Sequence, residues 1–279
     1  MKMKFVKKIF SILVLVFSFI TITYAEEIKN YDVTSTIEKA KSNDKQGLYE
    51  LALLKQNGMY GIEKNLSEAI ELYKRASALG HRSANHNLGV LYYKGQGVPV
   101  NYPEAAKWFS IAADRKVEDS QRNLLRMYYR NEITRNEERV ERILIELAEL
   151  GQQKDIESLA NYYYYEVNNL NLAEKPTLLL AEKGILKYQF LIAMIYLKKN
   201  NQNPDYANAY KWLLKAATKG DYKSKISLAA LYYGGLGVSK NETEAMKWFQ
   251  SACAQDPVLT SDIFDKVASK NQLKTPKCK

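Results

Sequence analysis

The chain is poor in the side chains that most chemistry needs. Its 279 residues include two histidines and two cysteines. His81 and His86 stand five apart. On a helix that places them about 140° apart, so they cannot form the i, i+4 metal pair. Cys253 and Cys278 lack the close spacing of a zinc site. There is no Cys–His pair, nucleophile elbow or Walker loop. No catalytic, metal-binding or cofactor-binding residue is assigned, and the chain is not read as an enzyme. Acids are also short: 31 Asp and Glu stand against 41 Lys and Arg, a formal charge of +10. No nucleic-acid motif accompanies that excess, so the charge allows an acidic protein face, an anionic lipid surface, an envelope polymer, or solubility alone.

What is present in abundance is one repeating pattern. The stretch from Ala84 to Ala113 reads as a helix–loop–helix unit. Leu88, Gly89 and Tyr92 lie along a first helix. Gly95-Gln96-Gly97-Val98 makes a tight loop. Asn101 can cap a second helix with Pro103 in its first turn. Ala105, Trp108, Phe109, Ala112 and Ala113 then recur at helical spacing.

The unit returns along the chain. Its first-helix marker is Leu51, Leu88, Leu124, Leu159, Ile192 and Leu228. A tyrosine follows one turn later at Tyr92, Tyr128, Tyr163, Tyr196 and Tyr232, with Lys55 in the first copy. The cap recurs as Asn65, Asn101, Asn136, Asn169, Asp205 and Asn241. A helix stop follows at Gly80, Lys116, Gly151, Gly184, Gly220 and Asp256. A period of about 36 residues held by these markers through six copies predicts an all-α, right-handed α-solenoid of antiparallel helix pairs.

The second and sixth copies, LGVLYYKGQGVPVNYPEAAKWFSIAA and LAALYYGGLGVSKNETEAMKWFQSACA, resemble the Sel1-like repeat, a relative of the tetratricopeptide repeat. The most specific matches are the GxGV loops (Gly95 to Val98, Gly235 to Val238) and the pairs Ala105/Trp108, Ala209/Trp212 and Ala245/Trp248. Copies three to five lack the loop, and copies three and four lack the tryptophan. The resemblance implies six repeats over residues 44–256, a lead-in over 26–43, and a capping helix and tail over 257–279. Ser261 is the expected N-cap of that helix, with Ile263, Phe264 and Val267 inward. Pro176 takes the tryptophan position of copy four, so its second helix is expected to start late or kink.

In tetratricopeptide-like units the first helices line a groove, at offsets two before the first-helix marker and two, five and six after it. In copies two to five the residues taken as the groove are His86, Tyr93, Lys94, Arg122, Arg126, Tyr129, Arg130, Glu157, Asn161, Tyr164 and Tyr165; Val90, Phe190, Met194, Leu197 and Lys198 fill the remaining offsets. Arginine and tyrosine dominate binding hot spots, which makes this stripe the expected partner-binding groove. Three arginines one turn apart repel unless solvent or a partner offsets them. The resemblance implies a scaffold that binds an acidic protein or peptide. A narrower form is an immunity protein that neutralises a secreted effector such as a phospholipase. A β-lactam-binding or hydrolysing role belongs to cysteine-rich relatives with a Cys pair in each repeat, which this chain lacks.

Residues Met1–Ala25 read as a cleaved secretory signal, with an uncleaved anchor as the alternative. Lys2, Lys4, Lys7 and Lys8 precede an apolar run that ends near Ala25. Cleavage implies a periplasmic or secreted protein without stable membrane insertion. In that compartment Cys253 and Cys278 can form a disulfide that staples the tail; the alternative is a buried thiol and a free one.

Overall fold

The computed structural model describes residues 31–200, 203–258, 260–262, 264 and 277–278. The segment read as a signal, and Ile263 and Val267, lie outside them. Among the described residues every regular element is a helix. The chain divides into two compact units, Met1–Val140 and Glu141–Lys279.

The first unit contains α1 (Val33–Lys41), α2 (Lys45–Asn57), α3 (Leu66–Ala78), α4 (Arg82–Lys94), α5 (Tyr102–Asp114) and α6 (Glu118–Tyr129). α7 (Glu137–Glu149) carries the division between the units. The pairs α2/α3 and α4/α5 are antiparallel hairpins, and each helix packs on its neighbours in sequence. Their core joins Leu48, Ala52, Ile70, Tyr73, Ala84 and Leu88, with Trp108 partly buried against it. Small alanines let the helix axes approach, and the larger rings fill the space between turns.

The second unit contains α8 (Gln153–Asn161), a π-helical turn (Tyr162–Glu166), α9 (Leu170–Glu182), α10 (Leu186–Lys198), α11 (Tyr206–Thr218), α12 (Tyr222–Gly234) and α13 (Glu242–Cys253). Its core gathers around Ala193, Leu213 and Leu228, and around Ile226, Phe249 and Phe264. A short helix follows, with Pro257, Val258, Thr260–Asp262 and Phe264 in helical conformation. It begins earlier than expected, because proline suits a first helical turn. Ser261 is therefore inside the helix and not its N-cap; its hydroxyl donates to the Pro257 carbonyl at 3.0 Å.

Each second helix starts by the same local chemistry. The side-chain oxygens of Asn65, Asn101, Asn136, Asn169, Asp205 and Asn241 accept from the backbone N–H three residues on, at 2.9–3.2 Å. The cap's own N–H is also held. Those of Asn65, Asn101, Asn169, Asp205 and Asn241 donate to the carbonyls of Lys55, Tyr92, Tyr163, Tyr196 and Tyr232. The recurring first-helix tyrosine thus closes the loop through its backbone.

The stops are equally local. Gly80, Gly151, Gly184 and Gly220 have φ between 80° and 99°, and Lys116 takes the same role at φ 61°. A side chain in that region costs about 1–2 kcal/mol. Lys116→Gly is expected to raise the unfolding free energy by about 1 kcal/mol, measured by urea denaturation.

Pro176 does not delay its helix. Helix α9 neither starts late nor breaks: it runs from Leu170, capped by Asn169, to Glu182 with Pro176 inside it. The proline gives up the bond its N–H would make to Leu172, yet its ring is buried in the slot that tryptophan occupies elsewhere.

Candidate partner-binding surfaces

The eleven positions of the expected stripe divide between the units, seven in the first and four in the second. In the first unit His86 is half-buried and engaged within the chain. Its Nδ1 shares a 2.8 Å hydrogen bond with the Ser120 hydroxyl, and its ring tilts against Phe109 at 5.7 Å. His86 ties one first helix to the next, because α6 covers that turn of α4.

Tyr93 is likewise engaged. Its hydroxyl donates to Glu132 Oε1 at 3.0 Å and accepts from Arg130 Nη1 at 3.3 Å. The three arginines also have partners within the chain. Arg122 pairs with Glu118 at 3.4 Å, Arg126 donates to the Asn123 side chain, and Arg130 lies 3.9 Å from Glu132. Arg122 and Arg130 thus each face a carboxylate, while Arg126 meets a neutral amide. Lys94, Arg126, Tyr129 and Arg130 remain exposed, with the Arg135 guanidinium over the Tyr129 ring at 4.9 Å.

In the second unit the expected residues come together. Copy four has a shorter loop than its neighbours, and the chain accommodates it with a π turn through Tyr162–Glu166. The wider turn buries Tyr162 and Tyr163 and leaves Tyr164 half-buried and Tyr165 exposed. Tyr163 donates to Glu141 at 2.8 Å. Tyr164 and Tyr165 meet edge to face at 4.7 Å. Two lysines from α10 cover them. Lys198 donates to the Tyr164 hydroxyl at 3.5 Å, and Lys187 Nζ lies 5.8 Å from the Tyr165 ring centre. Lys187 also donates to Asn161 Oδ1 at 3.1 Å, while Glu157 accepts from Gln153. Neither lysine pairs with a carboxylate among the described residues. Lys187 lies outside the offsets used for the stripe, so sequence reasoning missed it. The same offsets in copy one fall on Tyr49, Leu53, Gln56 and Asn57.

Both histidines titrate below the ordinary imidazole value. Burial is the main cause at each; Lys45 and Arg82 add to it at His81, against Glu50 and Asp44, and Asp119 opposes it at His86. His81 caps α4, its Nδ1 accepting the Ala84 N–H at 3.2 Å, so protonation removes the cap. The unfolded chain binds protons near pH 6.5 and the folded chain only below it. Stability is therefore complete above about pH 6.5 and declines as pH falls toward the lower folded values. The melting midpoint is expected to drop between about pH 7 and about pH 5, and His81→Gln with His86→Asn to flatten that slope. An unchanged slope would assign the effect to carboxylates.

Sulfur chemistry closes the far end. Cys253 and Cys278 are joined, with their Cα atoms 5.6 Å apart. Among the described residues, no group of three or more His, Cys, Asp or Glu side chains is placed to hold a metal ion. Also among them, no helix is long and apolar enough to cross a membrane.

Comparison with known proteins follows this geometry. Chitin synthase regulator SKT5 of Saccharomyces cerevisiae is 24% identical over 240 residues, 78% of this chain and 33% of its own length. A protective antigen of uropathogenic Escherichia coli with an SLR fold is 24% identical, covering 87% of this chain and 53% of its own, at a TM-score of 0.47. A Sel1 repeat protein from Oxalobacter formigenes is 24% identical over 78% of this chain and 95% of its own, at a TM-score of 0.43. The chain thus spans about a third of the yeast regulator and about half of the antigen. The Sel1 repeat model matches residues 45–81, 82–117, 187–221 and 224–257, and the chain belongs to the Sel1 repeat family.

Proposed function

We propose that this chain is an exported interaction scaffold that binds an acidic protein or peptide partner through the first-helix face of its second unit. Sel1 repeats mediate protein–protein interaction, which supports the general role. The observation that carries the finer reading is the tyrosine–lysine surface. Tyr164 and Tyr165 are held outward by the π turn, and Lys187 and Lys198 stand over them without a carboxylate partner among the described residues. Ammonium groups on aromatic rings keep their charge while burying their stems. A partner carboxylate there gains two cations and apolar ring surface together. π turns occur often at functional sites, consistent with this placement. The exported location rests on residues 1–25. Neutralisation of a secreted effector is the same binding act with a particular partner.

The test is capture of envelope proteins by cross-linking, comparing the natural chain with Lys187→Glu/Lys198→Glu and with Tyr165→Ala. A genuine partner is expected to be lost on charge reversal and to bind more weakly as salt rises. Equal capture by the charge-reversed chain would overturn the acidic-partner reading.

A further inference from the structure

The first hairpin carries an open hollow of about 420 Å³ that includes three of the residues the offsets assign to copy one. Tyr49, Leu53 and Asn57 come from α2, Met59 and Tyr60 from the loop after it, and Tyr31 from the segment before α1. Tyr31 and Tyr60 are stacked at 4.5 Å. Tyr60 holds its ring there from a backbone at φ 55°, a conformation bulky residues rarely take. Tyr49 stacks on His81 at 4.1 Å and so is fixed from behind.

One charged group lines this aromatic hollow. Glu50 accepts a 2.8 Å bond from Gln46 Nε2 at its Oε1, and it makes no ion pair among the described residues. Gln46 is itself oriented, because its Oε1 meets His81 Nε2 at 3.1 Å. With His81 Nδ1 accepting the Ala84 N–H, Nε2 carries the proton and donates to Gln46. The amide then presents its N–H to Glu50, and the second carboxylate oxygen is left for a ligand. Aromatic faces carry partial negative charge, and a carboxylate beside them adds a full one. An apolar wall of Leu53, Leu54 and Met59 suits the stem of a long side chain.

We propose that this hollow receives an arginine side chain of a protein partner, its guanidinium paired with Glu50 and lying against the tyrosine rings. Arginine fits better than lysine because a planar guanidinium stacks on the rings while its edge donates to the remaining Glu50 oxygen. This site has the opposite polarity to the lysine–tyrosine surface and lies in the other unit. It rests on the partner-binding reading only in requiring a protein ligand, and its residues are tested separately.

The experiment titrates the full chain with the blocked peptides Ac-Ala-Arg-Ala-NH2 and Ac-Ala-Leu-Ala-NH2, following backbone amide resonances by NMR. The arginine peptide is expected to shift Tyr49, Leu53 and Tyr60 and to bind about tenfold tighter than the leucine peptide, a difference of one decade in Kd. Glu50→Gln keeps the side-chain shape and is expected to erase that difference. Tyr60→Gly keeps the left-handed backbone, removes one ring and is expected to weaken the arginine peptide about threefold. Equal binding of the two peptides, or an arginine affinity indifferent to Glu50→Gln, would overturn the proposal. Neither result would bear on Lys187 and Lys198.

Discussion

Replacing Phe109 by alanine is expected to lower the unfolding free energy by about 3–5 kcal/mol. The ring is 1% exposed and lies directly over Gly89, where an added Cβ would come within 2.5 Å of Phe109 Cδ1. It also supports His86, which ties α4 to α6. Rigid neighbouring helices cannot collapse into the space, so the loss includes a cavity as well as buried surface. Gly89→Ala in the natural chain overpacks the same contact, at about 1–3 kcal/mol. In the Phe109→Ala background the same methyl enters the vacated volume and is expected to cost much less. Urea denaturation of the four proteins of this cycle measures the coupling. Strict additivity would show that the ring and the glycine do not constrain each other.

Reducing the Cys253–Cys278 bond is expected to loosen the last hairpin by about 3.5 kcal/mol, the loop-closure estimate for a separation of 25 residues. The bond anchors the tail to α13, where Gln250 also donates to the Lys277 carbonyl at 3.0 Å. In a repeat stack each unit leans mainly on its neighbours, so the effect should stay local. Amides of α12 and α13 should exchange faster in reductant, while those of α2 to α5 hold their protection. Cys278→Ser should match the reduced protein and ignore further reductant. If α13 amides exchange at the same rate with and without the bond, the tail contributes nothing to that hairpin.

The parts of this fold that a reader of the sequence can see are those decided within a few residues. An asparagine at each second-helix start meets its own N–H three positions on, and that geometry needs no tertiary contact. The left-handed stops are of the same kind, down to Lys116 standing in for glycine. The core was legible through the recurrence of alanine with large rings. What escaped depends on neighbours distant in sequence. The direction of His86 is set by Ser120, and the partners of Arg130 include Tyr93 from the preceding repeat. The shortened loop of copy four marks an irregularity, but not that a π turn would absorb it and push Tyr165 outward. Of the two outcomes expected at Pro176, the late start does not occur, because Asn169 caps a helix that already begins at Leu170. The hollow beside Tyr49 was within reach: the offsets written for copies two to five name three of its residues when applied to the first.

The second glycine of each GxGV loop has a history written into it. Gly97 rests against Leu66 and Gly237 against Tyr206, each the opening residue of the preceding second helix, at distances where a Cβ would come within 2.6 Å. The seam between consecutive hairpins is thus cut to one template at both places. Such seams let genetic duplication or loss of a whole hairpin rejoin the chain without a misfit.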